Sequence, residues 1–119
     1  MDRLATARIM AIMARRQPYT LAFAAAVTKH VRALDAKFHA LIREKIGEQL
    51  RFEPGAETTN RKPLRQQAPF GATWEVRFGP ANRFRVLYDI DKEARVVRIM
   101  AIGEKQRERL FIGGKEVQL

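Results

Sequence analysis

The sequence predicts an α+β fold, in which a helical hairpin packs on one face of a small, mainly antiparallel sheet of four to five strands. Apolar residues recur at helical spacing in residues 24–50 and alternate at strand spacing in residues 73–102. A polar loop that holds three of the five prolines separates these two regions. Helices followed by a run of strands are typical of the α+β class.

The length of 119 residues allows one domain with a single hydrophobic core. We place this domain at residues 18–119 and treat residues 1–17 as a basic N-terminal extension. The extension carries four arginines around the apolar segment Ile9–Ala14, which fits either an amphipathic helix or a start-site artefact upstream of Met10 or Met13. The apolar segment is too short to span a membrane and lacks an A-x-A cleavage pattern. We therefore expect a cytoplasmic protein without a membrane partner, with a mitochondrial-type presequence as the alternative.

The first half of the domain predicts one strand and two helices. Residues 19–23 alternate large and small side chains, which is typical of a short strand. From Ala24 the apolar residues follow a helical period as far as Leu50, and Asp35 interrupts them with a side chain suited to cap a new helix. We therefore expect a helical hairpin that turns at Asp35 and ends before Pro54.

The second half predicts a long polar loop followed by an antiparallel meander. Loops of this length inside compact domains are usually functional or mobile. Residues 79–82 and 91–94 have the composition of turns, and they join the strands of the meander. The loop spans residues 53–73, and the strands span about residues 73–78, 83–90 and 95–102.

Alternation along these strands separates two sheet faces. The face expected to receive the helical hairpin is apolar and holds Trp74, Val76, Phe78, Phe84, Val86, Tyr88, Val97, Ile99 and Ala101. The opposite face is mixed and holds Glu75, Arg77, Arg83, Arg85, Leu87, Asp89, Val96, Arg98, Met100 and Ile102. We expect Arg77, Arg85 and Arg98 to lie together on this mixed face. Either they form a functional site, or they pair with neighbouring carboxylates on an exposed surface.

The net charge of +10 indicates a polyanion or an acidic protein as partner. Half of this excess lies between Arg61 and Arg85, where six basic residues face one acid in 25 positions. A solvated basic loop or charged turn is the alternative for several of these side chains. Without cysteine, disulfides are excluded and metal sites lose their softest ligand, so we expect no metal and no cofactor. The candidate nucleic-acid-binding residues are Arg61, Lys62, Arg65, Arg83, Arg98, Arg107 and Arg109.

The segments W-E-V-R, F-R-V-L-Y-D-I-D, V-V-R-I-M-A-I-G-E-K and R-L-F-I-G-G follow a helical hairpin and a Lys-Pro-Leu loop. In this order, over Tyr19 to Val117, they resemble the RelE/ParE superfamily of type II toxin–antitoxin toxins. The resemblance implies an α+β toxin inhibited by an acidic cognate antitoxin. Some RelE-like toxins cut mRNA in the ribosomal A site, whereas ParE-like toxins poison DNA gyrase. We expect ribosome-dependent mRNA cleavage, with ribosome and mRNA as partners. Gyrase inhibition, or a degenerate toxin fold that acts only by binding protein, is the alternative.

The same resemblance suggests a catalytic set. It assigns stabilisation of the phosphate charge to Arg77, Arg85 and Lys105, because guanidinium and ammonium groups bind phosphate oxygens. It places Phe111 where RelE has a catalytic tyrosine, and a phenyl ring cannot transfer a proton. Glu75 is therefore a candidate base, with a structural ion pair as the alternative.

Two further groups complete the expectations for the site. We expect the antitoxin to contain a segment that folds on binding and covers an apolar strip of Leu87, Met100 and Ile102 on the mixed sheet face. Both histidines, His30 and His39, lie on predicted helices, and we expect them to pack on or near the helices, away from the sheet face.

Overall fold

The computed structural model describes residues 17–65 and 68–118. The predicted extension therefore lies outside the described residues, apart from Gln17. The described chain forms two α-helices and seven β-strands. In chain order they are β1 (Thr20–Phe23), α1 (Val27–Arg32), α2 (His39–Leu50), β2 (Arg61–Pro63), β3 (Trp74–Phe78), β4 (Phe84–Asp91), β5 (Val96–Gln106), β6 (Arg109–Ile112) and β7 (Lys115–Val117).

All seven strands belong to one sheet, in the order β2-β3-β4-β5-β6-β7, with β1 added beside β5. Strand β1 is parallel to β5, and the other neighbours are antiparallel. Both β1 and β6 use the edge of β5 that β4 leaves free, β1 along Val96–Ile99 and β6 along Gly103–Gln106. The predicted α+β class is confirmed, but the predicted number of four to five strands is wrong. The additional strands, β2, β6 and β7, are only three or four residues long.

The helical hairpin is shorter than the sequence predicts. Helix α1 has only six residues, and α2, with 12 residues, is the one substantial helix against the sheet. Asp35 is an N-cap: its carboxylate accepts a hydrogen bond from the backbone N–H of Lys37 at 3.0 Å. The capped element is a short 3₁₀ turn, Ala36–Phe38, that leads directly into α2.

The main hydrophobic core lies between the helices and the sheet. From the helical side it takes Val27, Leu34, Ile42, Ile46 and Leu50. From the sheet it takes Val76, Phe78, Phe84, Val86, Tyr88, Val97, Ile99 and Ile102. Trp74 packs against this core while remaining partly exposed.

A β-bulge at Met100 corrects part of the predicted face assignment. Leu87 pairs with Ala101, but the next residue, Tyr88, pairs with Ile99, so Met100 has no partner on β4. An extra residue in one strand reverses which side the following residues face. Ile102 therefore lies in the helix-side core, and Ala101 lies on the opposite face, the reverse of the prediction for both.

The sheet face opposite the helices, called here the distal face, carries a second apolar cluster. Ala72, Leu87, Ala101 and Ile112 are its buried members. Leu64, Ala68, Met100, Leu110 and Val117 pack against them. Since Leu64 follows the first strand in the sheet order and Val117 belongs to the last, the sheet must curve around this cluster. The apolar part of the mixed face is therefore covered by the chain itself.

Candidate functional site

A cleft of about 400 Å³ opens on the distal face beside the second apolar cluster. Strands β2 to β7 all contribute to it, which follows from the curvature of the sheet. Its charged lining consists of five basic and three acidic side chains, so its formal charge is +2 (five minus three). These are Lys62, Arg77, Arg85, Lys105 and Arg109, with Glu75, Glu108 and Glu116. We call this cleft the basic pocket.

Strand register explains why these side chains meet. Arg77 on β3 and Arg85 on β4 are direct cross-strand partners, and Lys62 on β2 lies opposite Glu75. Directly opposite residues on one face of an antiparallel pair have Cβ atoms about 5 Å apart. On β5, Arg85 pairs with Gly103, and Lys105 lies two residues further along on the same face. Four of the basic residues therefore come from four adjacent strands.

Glu75 forms the fixed centre of the pocket. Its Oε1 atom accepts hydrogen bonds from Arg77 Nε at 2.7 Å and from Arg85 Nη1 at 3.0 Å. Glu75 is 3% exposed and the Arg85 side chain 8%, whereas Arg77 is one-third exposed. Burying a charge is tolerable when it is paired and hydrogen-bonded, and the contacts of Glu75 meet that requirement. Arg85 is paired through Nη1, while its buried Nε has no hydrogen-bond partner among the described residues. Arg85 is thus held in one orientation, while Arg77 keeps surface for a ligand.

The outer part of the pocket is held more loosely. Lys105 Nζ lies 3.7 Å from Glu108 Oε2, and Arg109 Nε lies 3.8 Å from Glu116 Oε1. Both distances exceed those of ordinary hydrogen bonds. Lys62 is exposed and has no ion-pair partner within residues 17–65 and 68–118.

Arg98 does not join the other arginines. It shares the distal face but pairs with Asp89 at 3.7 Å and Asp91 at 3.4 Å. Asp89 lies four residues from Arg85 along β4, which is about 13 Å in an extended strand. The expectation that Arg77, Arg85 and Arg98 lie together is therefore met by the first two only.

Two other residues that were predicted to bind nucleic acid, Arg61 and Arg83, lie on the helix side of the sheet. Arg61 is buried, and its Nη1 donates to the carbonyl of Gln49 in the last turn of α2. The Arg83 guanidinium lies 4.9 Å from the centroid of the Phe38 ring and donates to Glu104 at 2.7 Å. Neither side chain lines the basic pocket. Arg65 and Arg107 are exposed and also lie outside the residues that line it.

No histidine or tyrosine is among the described residues that line the basic pocket. Phe111 pairs with Glu104, and this places its side chain on the helix side, whereas its neighbour Leu110 lines the pocket. Tyr88 is fully buried and donates its hydroxyl to the carbonyl of Pro54 at 2.7 Å. Burial raises the pKa of the Tyr88 phenol, so it stays protonated. The titratable groups of the pocket are therefore its carboxylates and lysines.

His30 has a structural position that the sequence did not predict. Its Nδ1 accepts a hydrogen bond from the backbone N–H of Ile102 at 3.3 Å, at the point on the edge of β5 between β1 and β6. Its ring also meets Phe70 edge to face at 5.4 Å. Burial lowers the pKa of His30. His30 therefore contacts the edge of the sheet at β5, but it is not among the described residues that line the basic pocket.

The apolar strip that was predicted to bind the antitoxin is not exposed to solvent as a continuous surface. Leu87 is fully buried in the second apolar cluster, and Ile102 is 1% exposed in the helix-side core. Met100 is partly buried against Leu87 and its neighbours. An exposed apolar groove of about 450 Å³ lies instead on the helix side, where Ile102 forms part of its floor. It is lined by Phe23, Val27, Val31, Ile42, Ile46 and Ile102, with Arg32 and Arg43 at its edge. We call this the apolar groove.

Comparison with known proteins gives a likeness to a solved structure. No model of a protein family and no curated protein matches the chain. Among solved structures, the chain is similar to a chain of the toxin–antitoxin complex RelBE2 from Mycobacterium tuberculosis, with 26% identity and a TM-score of 0.56. The match covers 74% of this chain and 99% of that chain. This likeness supports a role in a toxin–antitoxin system with an antitoxin partner, and the α+β architecture is consistent with a RelE-like fold.

Two further observations concern membranes and metals. Within the described residues, no helix is long and apolar enough to cross a membrane. The same residues contain no group of three or more histidine, aspartate or glutamate side chains placed to hold a metal ion.

Proposed function

We propose that this protein is the toxin of a toxin–antitoxin pair, and that it inhibits translation by cutting ribosome-bound mRNA at the basic pocket. The observation that carries the proposal is the cluster of five basic side chains on the distal face of a RelE-like sheet. A phosphodiester backbone is the polyanion that such a cluster fits, since arginine and lysine bind phosphate oxygens strongly. The likeness to a chain of a toxin–antitoxin complex supports the biological setting.

The proposed reaction is attack of a ribose 2′-hydroxyl on the adjacent phosphorus. The 2′-oxygen loses its proton and bonds to phosphorus, and the bond to the 5′-oxygen breaks. The products are a 2′,3′-cyclic phosphate and a 5′-hydroxyl, whose oxygen takes its proton from water. Arg77 and Lys105, both accessible, stabilise the charge that grows on the phosphorane. Arg85 supports Arg77 through their shared contact with Glu75.

The pocket offers few groups for proton transfer. Glu75 holds both arginines through Oε1, which leaves Oε2 as its proton acceptor. The ribosome can supply the substrate geometry, and correct positioning alone lowers a barrier substantially. A small set of side chains is therefore sufficient in the proposed setting.

The proposal is tested by inducing the protein in cells without its antitoxin and mapping mRNA 5′ ends. We expect growth arrest with new 5′ ends inside translated regions. Lys105→Ala should weaken both effects, whereas Lys92→Ala, which removes an exposed lysine from the β4–β5 turn, should weaken neither. Arrested growth with intact transcripts would overturn the nuclease proposal and leave the toxin proposal standing.

A second candidate function is gyrase inhibition without RNA chemistry. It is favoured by one observation, the lack of histidine and tyrosine among the described pocket residues. Trapped cleaved DNA and an SOS response on induction would support it. Unchanged supercoiling by gyrase with excess protein would exclude it. Harmless overexpression would instead favour a degenerate toxin fold that acts only by binding protein.

We also propose that the acidic antitoxin places an amphipathic segment in the apolar groove. Phe23 is 54% exposed there, and the edge residues Arg32 and Arg43 complement acidic side chains. This replaces the predicted strip as the apolar surface available to a partner. Phe23→Ala should weaken the toxin–antitoxin complex, and Phe70→Ala, which truncates another exposed ring, should not. Equal affinities of the two variants would exclude this groove.

A further inference from the structure

The basic pocket carries two kinds of carboxylate. Glu75 is buried and holds two guanidinium groups at hydrogen-bond distance, so removing it would leave a buried charge unpaired. Glu108 and Glu116 lie at the outer part of the pocket, Glu108 in the β5–β6 turn and Glu116 on β7. Glu108 is 95% exposed, and Glu116 is also exposed to solvent.

The two outer carboxylates lie near two accessible basic side chains of the pocket, Lys105 and Arg109. Glu108 faces Lys105 at 3.7 Å, and Glu116 faces Arg109 at 3.8 Å. Exposed ion pairs of this kind contribute little to stability, because water screens them and long side chains must be held in place. A phosphate that reaches the pocket can therefore displace them at little cost.

We propose that Glu108 and Glu116 are internal competitors that occupy Lys105 and Arg109 until the phosphates of an RNA strand displace them. The inference rests on the proposed binding of RNA by the basic pocket. It means that the pocket is partly neutralised in the free protein. It also means that the β5–β6 turn and strand β7 limit the affinity of the toxin for RNA that the ribosome does not present.

The inference predicts that neutralising either carboxylate tightens RNA binding. Since an exposed ion pair is worth at most about fivefold in an equilibrium constant, Glu108→Gln and Glu116→Gln should each raise the affinity about two- to fivefold. Glu93→Gln is the matched control, because it makes the same charge change at the far end of β5. Long-range attraction of RNA by net charge should change the affinity of all three variants equally.

The experiment measures binding of a short single-stranded RNA by fluorescence anisotropy, with its 2′-hydroxyls methylated so that it cannot be cut. Glu108→Gln and Glu116→Gln should bind more tightly than Glu93→Gln. In a Lys105→Ala background, Glu108→Gln should lose its advantage, since the competed cation is absent. Circular dichroism of each variant verifies that it is folded.

Three results would overturn the inference. If RNA binds but Glu108→Gln and Glu116→Gln match Glu93→Gln, the competition is refuted and the proposed function stands. If Glu108→Gln keeps its advantage without Lys105, the carboxylate does not act through that lysine. If neither wild type nor any variant binds the RNA, both the inference and the proposed RNA binding fail.

Discussion

At the scale of single residues, the pocket depends on one carboxylate. Among the described residues that line the pocket, Glu75 is the only buried acid. Arg77 and Arg85 both donate hydrogen bonds to its Oε1 atom. This arrangement fixes the direction of two guanidinium groups before any ligand arrives. Binding a phosphate to a cation that is already oriented costs less free energy than binding it to a cation that must first be ordered.

Glu75→Gln should therefore destabilise the fold. The substitution leaves the buried Arg85 without its counter-ion, and breaking a buried ion pair costs about 3 kcal/mol. Urea denaturation measures this loss. Glu108→Gln, which removes an exposed carboxylate from the same pocket, should leave the midpoint unchanged. Equal midpoints for the two variants would mean that Glu75 does not hold the pocket together.

His30 should make stability depend on pH. Burial lowers its pKa in the folded state below the ordinary value of 6.5. As the pH falls below 6.5, the unfolded chain therefore binds more protons at His30 than the folded chain does. The contribution of His30 to the free energy of unfolding is complete above that pH and decreases below it. A protonated Nδ1 also cannot accept the hydrogen bond from Ile102.

This pH effect is measured by urea denaturation above and below pH 6.5. His30→Gln should reduce the loss of stability on the acid side, because glutamine does not titrate there. His39→Gln is the control, since the His39 ring bonds only the carbonyl of Leu34 in the described contacts. An unchanged pH profile in His30→Gln would contradict this account.

At the scale of elements, the approach of β6 to β5 depends on Gly103. A Cβ atom at this position would lie 2.7 Å from both Ile112 Cγ1 and the carbonyl oxygen of Phe111. Such contacts require the backbone of β6 to move. Because Leu110 and Arg109 of β6 line the basic pocket, a shift of this strand would also change the pocket.

Gly103→Ala should lower the thermal midpoint and weaken binding of RNA to the pocket. Gly47→Ala is the matched control, since Gly47 lies inside α2 and its added Cβ would meet only Arg51 Nε at 3.4 Å. Alanine in place of a helical glycine is neutral or stabilises by up to about 1 kcal/mol. A Gly103→Ala protein as stable as Gly47→Ala would show that β6 adjusts freely.

The elements also show how far the sequence could predict this fold. Strands β3, β4 and β5 have clear alternation, so their faces and the meeting of Arg77 with Arg85 were predictable. Strands β2, β6 and β7 are too short for a periodic signal and form because a neighbour is available for pairing. A bulge has no local pattern, so the reversal of Ala101 and Ile102 could not be predicted.

The candidate site was predictable to a similar extent. Glu75 lies on the predicted face beside the two arginines, because alternation places it there. Lys105 was expected from the family resemblance, and it reaches this face because the bulge at Met100 reverses the alternation of β5. Arg83 was misplaced because its backbone is helical just before β4 begins, which breaks the alternation. Arg61 was taken for part of a loop, but β2 directs it to the helix side.

At the scale of the whole molecule, two surfaces with different chemistry lie on opposite sides of one sheet. The basic pocket is on the distal face, and the apolar groove is on the helix side. In the proposed scheme, an RNA backbone and an antitoxin segment therefore first meet different surfaces. Inhibition then requires the antitoxin to reach around the sheet or to block access to the ribosome by its size.

The most direct test of the account is cleavage of mRNA on purified ribosomes, followed by primer extension. The wild type and Arg98→Ala should produce the same new 5′ ends, because Arg98 lies on the same face but outside the pocket. Arg77→Ala/Lys105→Ala should be slower by at least about 100-fold, as expected when groups that stabilise transition-state charge are removed. Cleavage by the double variant at the wild-type rate, or no cleavage by the wild type, would contradict the account.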